Sequence, residues 1–333
     1  MNLFSGNPAE TSRRRFHERL LRWYRRHRRG LPWRTTRDPY RIWVSEIMLQ
    51  QTRVAAVLAH YEEFLRRFPN VRSLAAARAS SVLAAWSGLG YYARARSLHA
   101  TAKQVVSKRR GRFPRSREEL QALPGIGRYT AAAIASIAFG QREAVVDGNV
   151  ARVLGRLAGA PVSQRQLWTP AERLLSPRHP GDFNQAMMEL GATVCLPGVP
   201  RCDRCPVFAW CRTRGASPRR VALPRSKRKR VAFSLSARKD AVLLTRRAPG
   251  ASLMPRMWDL PLMPPRNGTA GRKPAVLYRL RHSITDTDYR VTVLRAGARA
   301  KSTEGSWVRL SRLPRLPLTG LARKILRRSR LLV

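Results

Sequence analysis

Apolar residues recur three and four positions apart along most of the chain ahead of residue 230, the period of helices with one buried face. Residues 13–30 are basic with Phe16, Leu20, Leu21 and Trp23 interspersed, which predicts an amphipathic helix. Leu31-Pro32-Trp33-Arg34 breaks it. Asp38-Pro39 then reads as an N-cap followed by proline at the first helical position, opening a helix over 40–54. The same period continues over 54–68, 73–86 and 94–107, and later over 152–158, 167–175 and 182–194. A further helix ends near Leu123 at a tight turn, Pro124-Gly125-Ile126-Gly127. The helix after that turn carries small residues (Ala131, Ala132, Ala133, Ala135, Ser136) that allow close packing. From Val231 the pattern changes: 231–235, 241–245, 278–280 and 289–294 read as strands, and 318–328 as a closing helix. The expected architecture is a mainly α region over 10–214, a Pro/Gly/basic linker over 215–230, and a small α+β domain over 231–333.

The 333 residues suffice for two domains with real cores. Lys and Arg total 66 against 19 Asp and Glu, a formal net charge of +47. So large an excess calls for a polyanionic partner, and nucleic acid is the first candidate even with part of the arginine ascribed to genomic composition. An acidic membrane surface competes less well, because the basic residues run along the whole chain instead of flanking a lipid-seeking helix. The first residues lack the apolar core of a secretory signal, and the longest apolar stretch, around 130–140, is too short to span a bilayer. A soluble cytosolic protein, acting as a monomer, is expected.

Several residues carry candidate chemistry. Glu46 has Trp43, Val44, Ile47, Met48 and Leu49 as near neighbours, and a carboxyl in apolar company has a raised pKa, as a general acid near neutral pH needs. A solvent-facing Glu on an amphipathic helix is the plainer alternative. Glycines in 124–127 leave backbone N–H groups bare beside a helix N-terminus, a geometry suited to phosphate. Gly88-Leu-Gly-Tyr-Tyr places Tyr91 and Tyr92 on a flexible turn, where they serve either as core or as aromatic platforms for bases. Asp147 before Gly148 reads first as a structural cap. The only cysteines, Cys195, Cys202, Cys205 and Cys211, are spaced C-x6-C-x2-C-x5-C. Four thiolates in one loop of a cytosolic protein point to a metal site, either zinc or a cubane iron–sulfur cluster, rather than to disulfides.

Taken together, several separated motifs resemble the MutY-type adenine DNA glycosylases of the helix-hairpin-helix base-excision superfamily. They are Val44-Ser-Glu-Ile-Met-Leu-Gln-Gln-Thr, Gly88-Leu-Gly-Tyr-Tyr-Ala-Arg-Ala-Arg, Leu123-Pro-Gly-Ile-Gly-Arg-Tyr-Thr, Val146-Asp-Gly-Asn-Val, Phe183-Asn-Gln-Ala-Met-Met-Glu-Leu-Gly-Ala and the four-cysteine loop. The resemblance is dense over 31–211. It implies a glycosylase domain over 10–214 that includes a [4Fe-4S] loop at 195–211, and it identifies Cys195, Cys202, Cys205 and Cys211 as the cluster ligands. It implies that Glu46 protonates adenine on N7 and that Asp147 stabilises the developing sugar cation, held by Asn149. Tyr129 lies next to the reacting sugar, Arg34 and Gln185 contact adenine, and Gln51 and Tyr91 enter the base stack. Pro124, Gly125, Ile126 and Gly127 grip DNA phosphates. The substrate implied is double-stranded DNA holding adenine opposite 8-oxoguanine or guanine, in a cytoplasmic, nucleoid-associated setting.

Three features refine that expectation. Relatives resembling endonuclease III carry Lys where this chain has Tyr129, so a monofunctional enzyme without lyase activity is expected. Residues 231–333 resemble a Nudix-like lesion reader but lack a Glu-rich Mg²⁺ helix. The lesion-reading loop, usually a Phe-Ser-His-like triplet, is Ile284-Thr285-Asp286 here, with Thr285 keeping only the hydroxyl. Weaker discrimination of the lesion from plain guanine follows. The alternatives are a thymine-mismatch glycosylase, an endonuclease III-like lyase, and a non-catalytic iron–sulfur protein that binds DNA.

Overall fold

The computed structural model describes residues 9–159, 163–215, 227–263, 275–284, 286–296 and 305–332. The helical part runs through α1 (Ala9–His27), α2 (Pro39–Leu49), α3 (Val54–Arg67), α4 (Val71–Ala76), α5 (Ala79–Ala85), α6 (Ala93–Arg109), α7 (Arg117–Gln121), α8 (Arg128–Phe139), α9 (Gly148–Ala158), α10 (Trp168–Leu174) and α11 (Pro180–Thr193). Strands follow: β1 (Lys227–Leu235), β2 (Ala241–Arg246), β3 (Trp258–Asp259), β4 (Leu262–Met263), β5 (Val276–Ile284), β6 (Thr287–Arg295) and β7 (Ser306–Arg309), with α12 (Gly320–Arg328) closing the chain. No helix among the described residues is long and apolar enough to cross a membrane.

Local chemistry explains most boundaries. Asp38 caps α2 by accepting from the Tyr40 N–H at 2.9 Å, and Pro39 opens the helix. The helix expected over 40–54 stops at Leu49, because Gln50 turns extended and Gln51 has φ +55°. The helix expected over 73–86 is two, α4 and α5, separated where Arg78 is extended (φ −68°, ψ 138°). Gly125 takes φ +75° inside the 124–127 turn, which glycine adopts without strain. Gly127 caps α8 and Gly140 (φ +68°) ends it.

The chain divides into two compact units, Met1–Tyr61, Asn70–Ala75 and Ala100–Ala222, against Glu62–Pro69, Ala76–His99 and Leu223–Val333. In the first unit α8 lies at the centre, with Ala131 to Ala135 all fully buried. Small side chains bring the neighbouring helices close. A Cβ at Gly181 of α11 would sit 2.6 Å from the Ser136 carbonyl oxygen of α8, and one at Gly191 would sit 2.6 Å from Asn149 Cβ of α9. The core around them joins Phe16, Leu20 and Tyr24 of α1 to Val150, Leu154, Phe183, Met187 and Leu190.

The second unit holds two sheets. One has the order β4-β1-β6-β5, with β1 parallel to β6 and the other pairs antiparallel; the other is antiparallel, β3-β2-β7. Phe233, Val291 and Val293 meet Leu321, Ala322, Ile325 and Leu326 of α12 in its core. Lys227–Arg230, expected as the end of a linker, form the exposed start of β1 instead. Their backbones pair with Thr287–Arg290 while the charged side chains stay in water. The loop Trp86–Tyr92 belongs to this unit as well: the Ser87 and Tyr92 hydroxyls both donate to the Leu318 carbonyl, at 2.9 and 3.0 Å.

Gly191→Ala tests the α9–α11 contact. The methyl forces the two helices apart at Asn149, and an equilibrium denaturation curve is expected to show a loss of about 2 kcal/mol.

Candidate active site

A cleft of about 560 Å³ opens in the first unit, lined by Arg29, Trp33, Arg34, Glu46, Leu49, Gln50, Gln51, Tyr129, Asp147, Asn149 and Met188, among others. Its size is that of a small-molecule pocket. Segments far apart in sequence converge there: the turn before α2, α2 and the residues just after it, the start of α8, the N-terminus of α9, and α11 through Met188.

Glu46 projects from α2 and is 6% exposed. Burial pushes its carboxyl up to about 7; a hydrogen bond from Tyr129 works against this, the Asp147 charge adds to it, and Arg34 opposes it. The carboxyl is therefore poised to give up a proton near neutrality.

Asp147 is held differently. It caps α9, its Oδ1 accepting from the Val150 N–H at 2.7 Å and its Oδ2 from the Asn149 side-chain amide at 3.0 Å. Burial raises its pKa as well, but these bonds, a backbone bond from Asn149 and the Arg152 charge all favour the ionised form. Arg152 also donates to Asn149 Oδ1 at 2.8 Å and to the Gly191 carbonyl at 2.7 Å, which fixes the Asn149 amide toward Asp147. Tyr129 lies between the carboxyls electrostatically. Burial, then the charges of Glu46 and Asp147, raise its phenol well above the ordinary value, so it stays a neutral donor.

Two arginines of the cleft are held by a carboxylate that sequence reasoning missed. Glu189 of α11 is fully buried and takes charge-assisted bonds from Arg29 (Nη2 to Oε2, 2.7 Å) and Arg34 (Nη2 to Oε2, 2.7 Å). Burial alone raises a carboxyl, yet the two guanidiniums and the Arg29 N–H hold this one down at about 2. Glu189 thus fixes Arg34, whose guanidinium also lies 5.6 Å from the Tyr24 ring centre. The signal was available: Glu189 sits in an apolar run, as Glu46 does.

The other expected residues divide. Gln51 and Arg34 line the cleft. Gln185 does not: it lies buried on α11 and accepts from the Tyr24 hydroxyl at 3.2 Å. The turn 124–127 exposes Pro124, Gly125 and Gly127, buries Ile126, and is anchored where Thr101 donates to the Pro124 carbonyl at 2.7 Å. Tyr91 belongs to the second unit, 40% exposed at φ +46°. Thr285 lies outside the described residues.

Cys195, Cys202, Cys205 and Cys211 are free and part-buried. Among the described residues no set of three or more His, Cys, Asp or Glu is arranged to hold a metal ion. The donor set itself fits a four-thiolate group. Burial and the neighbouring cysteine charges raise the Cys202 thiol, so these thiols share one electrostatic neighbourhood, and Arg156 donates to Cys195 Sγ at 3.3 Å.

Residues 44–173 match the family of HhH-GPD superfamily base excision DNA repair proteins. The human adenine DNA glycosylase is 51% identical over 214 residues, 60% of this chain and 39% of that protein. One from Buchnera aphidicola (Baizongia pistaciae strain) is 41% identical over 203 residues, 60% of this chain and 58% of that protein. The chain thus spans well under two thirds of the length of these relatives. A solved thermostable thymine-DNA glycosylase matches with TM-score 0.58 and 32% identity over 62% of this chain and 99% of that one. A non-covalent endonuclease III–DNA complex shares the fold, with TM-score 0.52 and 23% identity over 60% of this chain and 95% of that one.

A folded-state carboxyl raised above its unfolded value binds protons more tightly in the native protein. Stability therefore falls as pH rises from the ordinary 4.5 through about 7, by about 3 kcal/mol for Glu46. Glu46→Gln removes this cost. The variant is expected to be about 3 kcal/mol more stable than the parent at pH 8, the gap shrinking to about 1 kcal/mol at pH 5, as urea denaturation at the two pH values would measure.

Proposed function

The chain belongs to the HhH-GPD superfamily of base excision DNA repair proteins, and on that premise we propose that it is a monofunctional adenine DNA glycosylase. It removes adenine mispaired with 8-oxoguanine or guanine in duplex DNA. The observation that carries the reading is a buried and a half-buried carboxyl in one cleft with unlike support: Glu46 is raised to about 7 by burial, while at Asp147 the rise from burial is countered by bonds from Val150 and Asn149 that favour its charge. That division is what hydrolysis of a glycosidic bond requires.

The chemistry then runs as follows. The mispaired adenosine leaves the duplex, which is cheapest where pairing is already poor. Neutral Glu46 gives its proton to N7 of the purine, making adenine a competent leaving group. The N-glycosidic bond breaks and its electron pair departs with the base. The sugar is left as an oxocarbenium-like cation, which ionised Asp147 stabilises, with Asn149 holding the carboxylate in line. Water adds at the anomeric carbon and gives its proton to the Glu46 carboxylate left by the first step, which restores the acid. Tyr129 offers no amine, so no Schiff base forms and the product is an abasic site on an unbroken strand. Arg34, braced by Glu189, faces the base, and Gln185 supports Tyr24 behind it.

Around this centre we assign Pro124, Gly125, Ile126 and Gly127 to the phosphate backbone, Gln51 and Tyr91 to the base stack, and the basic surface to the polyanion at large. Gln51 and Tyr91 are both exposed at positive φ, a backbone state that persists where a loop must present a side chain. Cys195, Cys202, Cys205 and Cys211 hold a [4Fe-4S] cluster that ties the 195–211 loop together when bound. The 231–333 region is the Nudix-like reader of the opposite base, and the departure of Ile284-Thr285-Asp286 from the usual triplet weakens preference for the lesion. The protein works as a soluble, nucleoid-associated monomer on these terms. A second reading, excision of thymine from mismatches, has the thymine-DNA glycosylase likeness in its favour. Adenine is preferred because the curated adenine DNA glycosylases matched over the same part of the chain are 37–51% identical to it.

Duplexes with adenine opposite 8-oxoguanine, opposite guanine, and thymine opposite guanine decide between the readings. Alkali-dependent breakage at adenine, with no borohydride-trapped adduct, is expected; breakage only at thymine, or trapping, overturns it. Glu46→Gln and Asp147→Asn are each expected to lower the single-turnover rate by about 10²-fold or more. Because the protonated acid is the active form, the parent's rate is expected to fall as pH rises through about 7.

A further inference from the structure

Resting on the glycosylase reading, we propose that Ser87, Tyr92 and Arg323 form a latch by which the C-terminal strand-and-helix region sets the pose of Tyr91, making that region a determinant of base unstacking. Loop Trp86–Tyr92 is conformationally demanding: Gly88 has φ +113°, Gly90 +68° and Tyr91 +46°. A non-glycine residue in the left-handed region persists only where its surroundings over-determine it. Part of that determination is local. Trp86 Nε1 donates to the Gly90 carbonyl at 3.1 Å, and Arg94 donates to the carbonyls of Leu89 and Gly90 at 2.9 and 3.2 Å. The Arg94 guanidinium also lies 5.3 Å from the Tyr91 ring centre.

The remainder comes from far along the chain. Ser87 and Tyr92 stand on either side of the strained residues, and both hydroxyls converge on one acceptor, the Leu318 carbonyl. Arg323 of α12 donates to Ser87 Oγ at 3.0 Å. All this is dry: Ser87 is 4% exposed and Tyr92 2%, whereas Tyr91 between them is 40% exposed. The acceptor is itself immobilised. Leu318 forms a parallel bridge with Trp258, the flanking bonds being Trp258 N–H to the Pro317 carbonyl at 2.8 Å and Thr319 N–H to the Trp258 carbonyl at 2.9 Å. Thr319 then caps α12, its hydroxyl accepting from the Ala322 N–H at 3.1 Å. A carbonyl fixed between a strand bridge and a helix start is a rigid post, and two hydroxyls tied to it pin both flanks of the loop. Pinning pre-orders the exposed ring, so less ordering remains to be done when it enters a base stack. Ser87, Tyr92 and Arg323 are positioning residues on this account; they touch no substrate.

Ser87→Ala with Tyr92→Phe in the full-length chain removes both donors while keeping the buried ring, and Tyr92→Phe alone is the milder variant. Amide hydrogen exchange of the free protein is expected to quicken at least tenfold over 88–91 in the double variant and not at all in α8. A duplex with 2-aminopurine beside the mispaired adenine brightens when its stack opens. That increase is expected to fall at least fivefold in the double variant and in Tyr91→Ala alike, with affinity changed less than twofold and no further fall in the triple variant. Unchanged exchange over 88–91, or a fluorescence loss that adds to that of Tyr91→Ala, overturns the latch. A parent protein that opens no stack and excises no base overturns the glycosylase reading, and the exchange measurement then still decides whether the latch exists.

Discussion

A carboxylate that starts a helix is fixed in space by the bonds that also fix its charge, and the first unit depends on that coincidence at Asp147. Its two oxygens accept from the N–H of Val150 and the amide of Asn149, so the start of α9 and the electrostatics of the cleft are one interaction. Glu46 enters the cleft from mid-helix, where no backbone N–H is free to meet it, and burial outweighs the Tyr129 hydrogen bond and the Arg34 charge that oppose it. Position along a helix, at its mouth or within its body, gives two like side chains unlike hydrogen-bond support.

The close approach of α9 to α11 serves the same end. Gly191 lets Asn149 pack directly on the α11 backbone, and Arg152 bonds the Gly191 carbonyl and Asn149 together. Two residues earlier on the same helix, Glu189 braces the two arginines of the cleft. One helix, α11, thus supports both the orienting amide and the guanidiniums. A buried carboxylate with two guanidiniums is a costly thing to desolvate, and its geometry leaves each oxygen bonded.

Much of this was legible in the sequence, because the cues are local. Asp38-Pro39, the 124–127 turn and the apolar neighbours of Glu46 each state their structural consequence within a few residues. The curated likeness and the fold agree with the expected family. What could not be read is set by distance along the chain. Glu189 meets Arg34 across 155 positions, and the Leu318 carbonyl meets Ser87 across 231, and nothing near either residue announces the partner. Helix ends were misjudged where a single residue turns, as at Gln51 and Arg78, since backbone state at one position leaves no periodic trace. The basic run 227–230 reads as the end of a linker because it continues a Pro/Gly/basic stretch, yet a strand with exposed side chains accommodates such charge equally well.

That run has a consequence of its own. Over Lys227–Arg230 the strand is bonded on one side to β6, while β4 joins the other side only from Ala232 onward. Among the described residues its opposite rim is bare, a template on which another extended chain could stack. Four consecutive cations make that rim repellent to a second copy of itself, a charged margin that opposes edge-to-edge pairing.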